Sequence, residues 1–165
     1  MTYTIENEKF SVSIDSKGAE LCSMRSKKTG IEYVWQADPH VWARHAPVLF
    51  PIVGRLKDKL YTVGGKEYHI TQHGFGRDLE FACTEQTDTT LAFTLTPNEY
   101  PKPMYPFDFA FTVRYVLEGN TLQKQHITAN HGDTEMYYEV GGHDAYNVAL
   151  ESDETMEDYY VDFGS

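Results

Sequence analysis

The chain has 165 residues, with 14 basic against 25 acidic side chains and a net charge of −11. That length suits one domain, residues 1–165, able to bury roughly 70% of the surface its unfolded chain exposes. The charge disfavours nucleic acid and anionic membrane surfaces as partners, and the longest apolar run, "APVLFPIV", is far shorter than the ~20 residues of a membrane span.

The opening "MTYTIENEKF" lacks the charged-then-apolar pattern of a signal peptide, so a cytoplasmic location is expected. Cys22 and Cys83 are isolated and show no zinc spacing, which suggests reduced thiols, with one disulfide as the alternative. "KFSVSID" then puts Phe10, Val12 and Ile14 on one face of a strand. "DPHVWA" offers a single helical turn, with Asp38 as N-cap and Pro39 in first position. "YTVGGKEYHI" reads as a hairpin whose Gly64-Gly65 supplies the positive φ of a two-residue turn. "LEFACTE" and "TTLAFTLT" form a second pair around "QTD".

The strongest alternation is in "YPFDFAFTVRYVL", where Phe107, Phe109, Phe111, Val113, Tyr115 and Leu117 share a face. "EGN" turns this strand into "TLQKQHITA". No long segment repeats with a helical period. The expectation is an all-β, antiparallel protein built from hairpins. "DYYVDF" near the C-terminus alternates too. It predicts either an ordinary edge strand or one whose neighbours are missing, with an exposed edge open to self-association.

Three stretches combine polar groups with glycine-bearing backbone. In "HAPVLFPIVGRL", Pro47 and Pro51 forbid an ordinary helix or central strand, and Arg55 emerges from apolar chain. A guanidinium in that setting has fixed acceptors, either in a structural ion pair or on the oxygens of a polar ligand. In "QHGFGRDLEF", glycines flank Phe75 behind His73. They permit close approach of a ligand, or they make a bend between strands. In "EVGGHDAYNV", two glycines clear space beside His143, with Asp144, Tyr146 and Asn147 following. A histidine titrates near neutrality and can give and retake a proton. Asp144 holds that ring or stays solvated. The spacing of His69 and His73 suits zinc only on a helix, and here it spans a strand and a bend, so no metal site is expected.

Together, "APVLFPIVGRL", "YHITQHGFGRDLEF", "YPFDFAFTVRYVLEGNTL" and "VGGHDAYN" resemble the aldose 1-epimerase family, which includes galactose mutarotase, and most of all its LacX-like bacterial branch. The resemblance implies an antiparallel galactose mutarotase-like supersandwich. It implies an isomerase that interconverts the α and β anomers of a free sugar, a hexose or related aldose, without metal or organic cofactor. A glutamate takes the proton of the anomeric hydroxyl while a histidine protonates the ring oxygen. By position, His143 matches the histidine acid, His73 a second histidine on the sugar oxygens, and Arg55 the sugar-binding arginine. Phe75, Tyr146 and Trp42 are the aromatic candidates for the apolar face of the ring. Arg77, Arg44 and Lys57 would serve a sugar-phosphate variant of the reaction.

Two departures from the family pattern matter. Asp144 and Tyr146 stand where Pro and Phe are common, and Asp144 adds a negative charge next to His143. No stretch matches the family's late glutamate, so the chain reads as an N-terminal portion of an incomplete sandwich. Two functions follow as expectations: an epimerase weakened by the missing base, or a non-catalytic carbohydrate-binding β-sandwich.

Overall fold

Short-range alternation builds the first sheet of the computed structural model, which describes residues 1–97 and 101–164. Strands β1 (Thr2–Glu6), β2 (Phe10–Asp15) and β3 (Glu20–Ser26) pair antiparallel in that order. The β1–β2 turn is closed by Asn7, whose side-chain oxygen accepts from Lys9 N and Phe10 N at 2.8 Å each. Val12 and Ile14 point inward and are fully buried, as the alternation requires.

The main sheet has four strands: β7 (Ala82–Gln86), β8 (Thr90–Leu95), β9 (Phe109–Glu118) and β10 (Thr121–Asn130). They lie in the order β10-β9-β8-β7, all antiparallel. Phe109, Phe111, Val113 and Tyr115 of β9 are completely buried, and Phe107 is buried just before the strand begins. Each large apolar side chain contributes about 1.5–3 kcal/mol by leaving water. Two contacts fasten the first sheet to this one. The Tyr3 ring meets Phe93 edge-on at 5.2 Å. The buried Tyr115 hydroxyl donates to Ala19 O at 2.8 Å, so its polar end is satisfied.

Two smaller pairs carry the polar stretches. β5 (Leu60–Val63) and β6 (Lys66–His69) form the hairpin around Gly64 and Gly65, which both have positive φ. β4 (Val48–Leu49) pairs antiparallel with β11 (Gly141–Gly142), Leu49 opposite Gly141 and Val48 opposite Gly142. That long-range pair brings the proline-rich run to the histidine loop.

The "DPHVWA" segment is a single turn: His40 N donates to the Asp38 side chain, and Val41 N and Trp42 N to Asp38 O. Residues 158–163 differ from expectation. They begin with the last residue of a short 3-10 turn (Met156–Asp158) and form no strand, with Tyr160, Val161 and Phe163 strongly exposed. Alternation marks a strand only where a sheet edge supplies hydrogen bonds, and this segment has none. Cys22 and Cys83 are free thiols. Among the described residues no helix is long and apolar enough to cross a membrane.

Candidate functional site

Phe50 is the anchor of the site. It is completely buried and stacks on Phe111, with ring centroids 4.2 Å apart and planes 8° from parallel. Its carbonyl oxygen accepts from both Phe75 N and Gly76 N at 3.0 Å. This grip is possible because Gly74 has no side chain: a Cβ there would lie 2.2 Å from Phe50 O. His73 and Gly74 both adopt positive φ, +64° and +68°. A left-handed histidine is uncommon and is held here by its surroundings.

The reversal at His73 and Gly74 sorts the side chains. His73 turns toward Gly54, and the two exchange hydrogen bonds: His73 N donates to Gly54 O at 2.8 Å, and Gly54 N donates to His73 Nδ1 at 3.0 Å. Phe75 turns the other way. It is buried against Phe50, Tyr105 and Phe109, so it is a core residue and offers no face to a ligand. The expectation of a sugar-facing Phe75 is corrected by that geometry. Burial, then the charge of Arg77, then His143, hold the His73 pKa below the ordinary histidine value.

Gln72 ties three of these groups together. The exposed Arg55 donates to its Oε1 at 2.9 Å, Arg77 donates to its backbone oxygen at 2.9 Å, and its amide nitrogen lies 3.1 Å from His73 Nε2. Arg44 is bound to Asp78 at 2.6 Å.

His143 follows β11 directly. Its N–H donates to Pro47 O at 3.1 Å, and Ala145 N donates to His45 O at 3.0 Å, so β4 and its flank set the loop. The His143 ring lies 4.9 Å from Trp42 and 6.2 Å from His73, nearly perpendicular to the latter. Trp42 is fixed in turn by Trp35, whose indole N–H donates to Trp42 O at 2.8 Å. The glycines before His143 face protein. A Cβ on Gly141 would lie 3.2 Å from the Val53 side chain, and one on Gly142 3.4 Å from the Asp144 carboxylate. They serve packing of the loop at least as much as any ligand.

The Asp144 carboxylate is engaged by the main sheet. It pairs with Lys124 Nζ at 2.7 Å, and the same ammonium donates to Ala46 O at 3.4 Å. Tyr146 sits on Asp144's side of the chain, in a groove with Tyr33, Leu150, Met156 and Tyr159. Among the described residues it makes no ring contact or hydrogen bond with His73 or His143. Partial burial, then the charge of Asp144, raise the Tyr146 pKa. Four residues thus come together: Arg55, His73, His143 and Trp42. Phe75 and Tyr146 do not join them. Sequence reasoning passed over Gln72, Gly54 and Lys124, because their roles are set by distant partners. Among the described residues no carboxylate is hydrogen-bonded to either imidazole of the pair.

Residues 1–164 match the profile of the family described as aldose 1-epimerase. The chain belongs to that family. It is 34% identical to the chromosomal protein LacX of Lactococcus lactis subsp. lactis, over 99% of this chain and 56% of that relative. A galactose mutarotase related enzyme of Lactobacillus acidophilus superposes with a TM-score of 0.93 at 46% identity, covering 96% of this chain and 53% of its own. A galactose mutarotase-like protein of Lactobacillus casei gives 0.88 at 37% identity, covering 93% and 52%. The fold is therefore the galactose mutarotase-like antiparallel β architecture. The chain spans about half the length of the curated relatives it matches.

Proposed function

We propose that this aldose 1-epimerase family chain binds a free aldose between His73, His143, Arg55 and Trp42, with His143 as the proton donor to the ring oxygen. The observation that carries the reading is the convergence of the two imidazoles, 6.2 Å apart, beside the Trp42 ring. An indole matches the apolar face of a pyranose, and imidazoles and guanidinium match its oxygens. In the reaction a base removes the proton of the anomeric hydroxyl, C1 becomes a carbonyl, the C1–O5 bond breaks, and O5 takes the proton from His143. Rotation about C1–C2 and the reverse steps give the other anomer. Each proton transfer is worth on the order of 10²–10⁴ in rate.

A second reading is favoured by one observation. Arg55, Gln72 and His73 form a hydrogen-bonded set that can hold sugar oxygens with no proton transferred. This supports a sugar-binding β-sandwich with weak turnover or none. Polarimetry on fresh α-glucose and α-galactose separates the two. Acceleration abolished in His143→Ala supports the epimerase. Calorimetric sugar binding without acceleration supports the binding module, and a chain that shows neither acceleration nor binding defeats both readings. We further propose that the edge of β10, which among the described residues pairs only with β9, mediates self-association. Light scattering that gives a monomer at all concentrations would refute it.

A further inference from the structure

The chain of groups Arg55, Gln72 and His73 holds one hydrogen-bond donor too many. Arg55 donates to Gln72 Oε1 at 2.9 Å, so the amide NH2 is the end turned to His73 Nε2, 3.1 Å away. On the other side of the ring, the Gly54 N–H donates to Nδ1 at 3.0 Å. A neutral imidazole has one N–H and one lone-pair nitrogen. Since Nδ1 accepts, the hydrogen is on Nε2, and it faces the amide hydrogens of Gln72.

No rearrangement that keeps Arg55 on Gln72 removes the conflict. Turning the Gln72 amide over sets its NH2 against Arg55, which carries donors only. Moving the ring hydrogen to Nδ1 sets it against Gly54 N–H. Protonating the ring makes both nitrogens donors, and its surroundings already favour the neutral form. The backbone cannot yield either, because Gly54 and His73 grip each other through two hydrogen bonds.

We infer that Gln72 is a ligand-binding residue, and that Gln72 Nε2 and His73 Nε2 form a two-donor site for one lone-pair oxygen of the ligand. The inference rests on the sugar reading above and deepens it. A hydroxyl or ring oxygen of an aldose has lone pairs for both donors. Such an oxygen supplies the acceptor that both donors lack within the chain. Gln72 also keeps Arg55 beside the same oxygen.

The test is the substitution Gln72→Glu, read by calorimetry with galactose and glucose and by the ¹⁵N shifts of His73. A carboxylate accepts from both His73 Nε2 and Arg55, so the variant closes the site on itself. The expected result is a melting temperature no lower than wild type, with sugar affinity down about tenfold or more. Wild-type affinity in the variant overturns the inference, as does a His73 hydrogen found on Nδ1 in the free protein. If Gln72→Glu does not fold, Gln72→Leu removes the donor alone, and undiminished affinity there is equally fatal. A wild-type chain that binds no sugar defeats the proposed function and the ligand role of Gln72 together. Sugar binding that survives in Gln72→Glu defeats only the latter.

Discussion

Lys124 of β10 and Asp144 of the histidine loop form an ion pair 2.7 Å long, with side chains only 13% and 26% exposed. The pair crosses from the main sheet to the residue after His143. Lys124 also donates to Ala46 O, one residue from the carbonyl that accepts His143 N. One ammonium therefore steadies both walls of the loop. Removing either partner leaves a poorly hydrated charge behind. Lys124→Met and Asp144→Ala are each expected to cost about 2 kcal/mol in urea denaturation. The double variant should cost less than the sum of the two. Strict additivity would show that the pair has no coupling.

Gly74→Ala tests the turn that presents His73. The added methyl would meet Phe50 O at 2.2 Å, at a φ of +68° that suits glycine. The backbone must shift, at a cost of at least about 2 kcal/mol. Sugar affinity is expected to fall with stability, because His73 moves with the turn. A variant with wild-type melting and affinity would show that Phe50 does not hold the turn.

Phe75 and Tyr146 are expected to separate stability from binding. Phe75→Ala empties a buried aromatic site and should cost about 3–5 kcal/mol. Tyr146→Phe changes an exposed side chain and should stay within about 0.5 kcal/mol of wild type. Its sugar affinity should be unchanged, and calorimetry with galactose checks this.

His126 sets a pH dependence. Burial, then the charge of Lys124, lower its pKa below 6.5, against the opposing pull of Asp144. Its Nε2 is buried with no partner among the described residues, and the ring packs against Phe111 at 5.9 Å. The unfolded chain then binds a proton that the folded chain refuses. Stability from this residue is complete above about pH 6.5 and falls as pH drops from there through the lowered folded value. His73 adds in the same direction, weakly, because it is more open to solvent. Urea melts between pH 7 and 5 should show a shallower decline in His126→Phe than in wild type. Equal slopes would show that burial of this ring is not felt.

The strands were readable because alternation and turn chemistry are local. Val12 and Ile14 of β2, the Gly64-Gly65 hairpin and the inward face of β9 follow from period two and positive φ alone. The site was half readable. His73, His143 and Arg55 stand out as polar groups set in glycine-bearing chain. The direction of Phe75 was not readable, because it depends on two successive left-handed residues, one of them a histidine. Nor was the fate of Asp144, whose partner lies 20 residues away on another strand. The pattern in 158–163 misled for the converse reason: it describes the side chains of a strand but says nothing of a neighbour for the backbone.

The one-sided pairing of β10 leaves a signature in amide exchange. Its ten residues run antiparallel to β9 from Thr121 to Asn130. In such a ladder the N–H groups of successive residues point alternately to the partner and away. Deuterium uptake along β10 should therefore alternate residue by residue, slow and fast, while β9 stays slow from Phe111 to Val116, where it lies between two neighbours. A strand that is ordered by its side chains can in this way be half open to solvent through its peptide groups. Whatever comes to lie along β10 would be seen first as the silencing of every second amide.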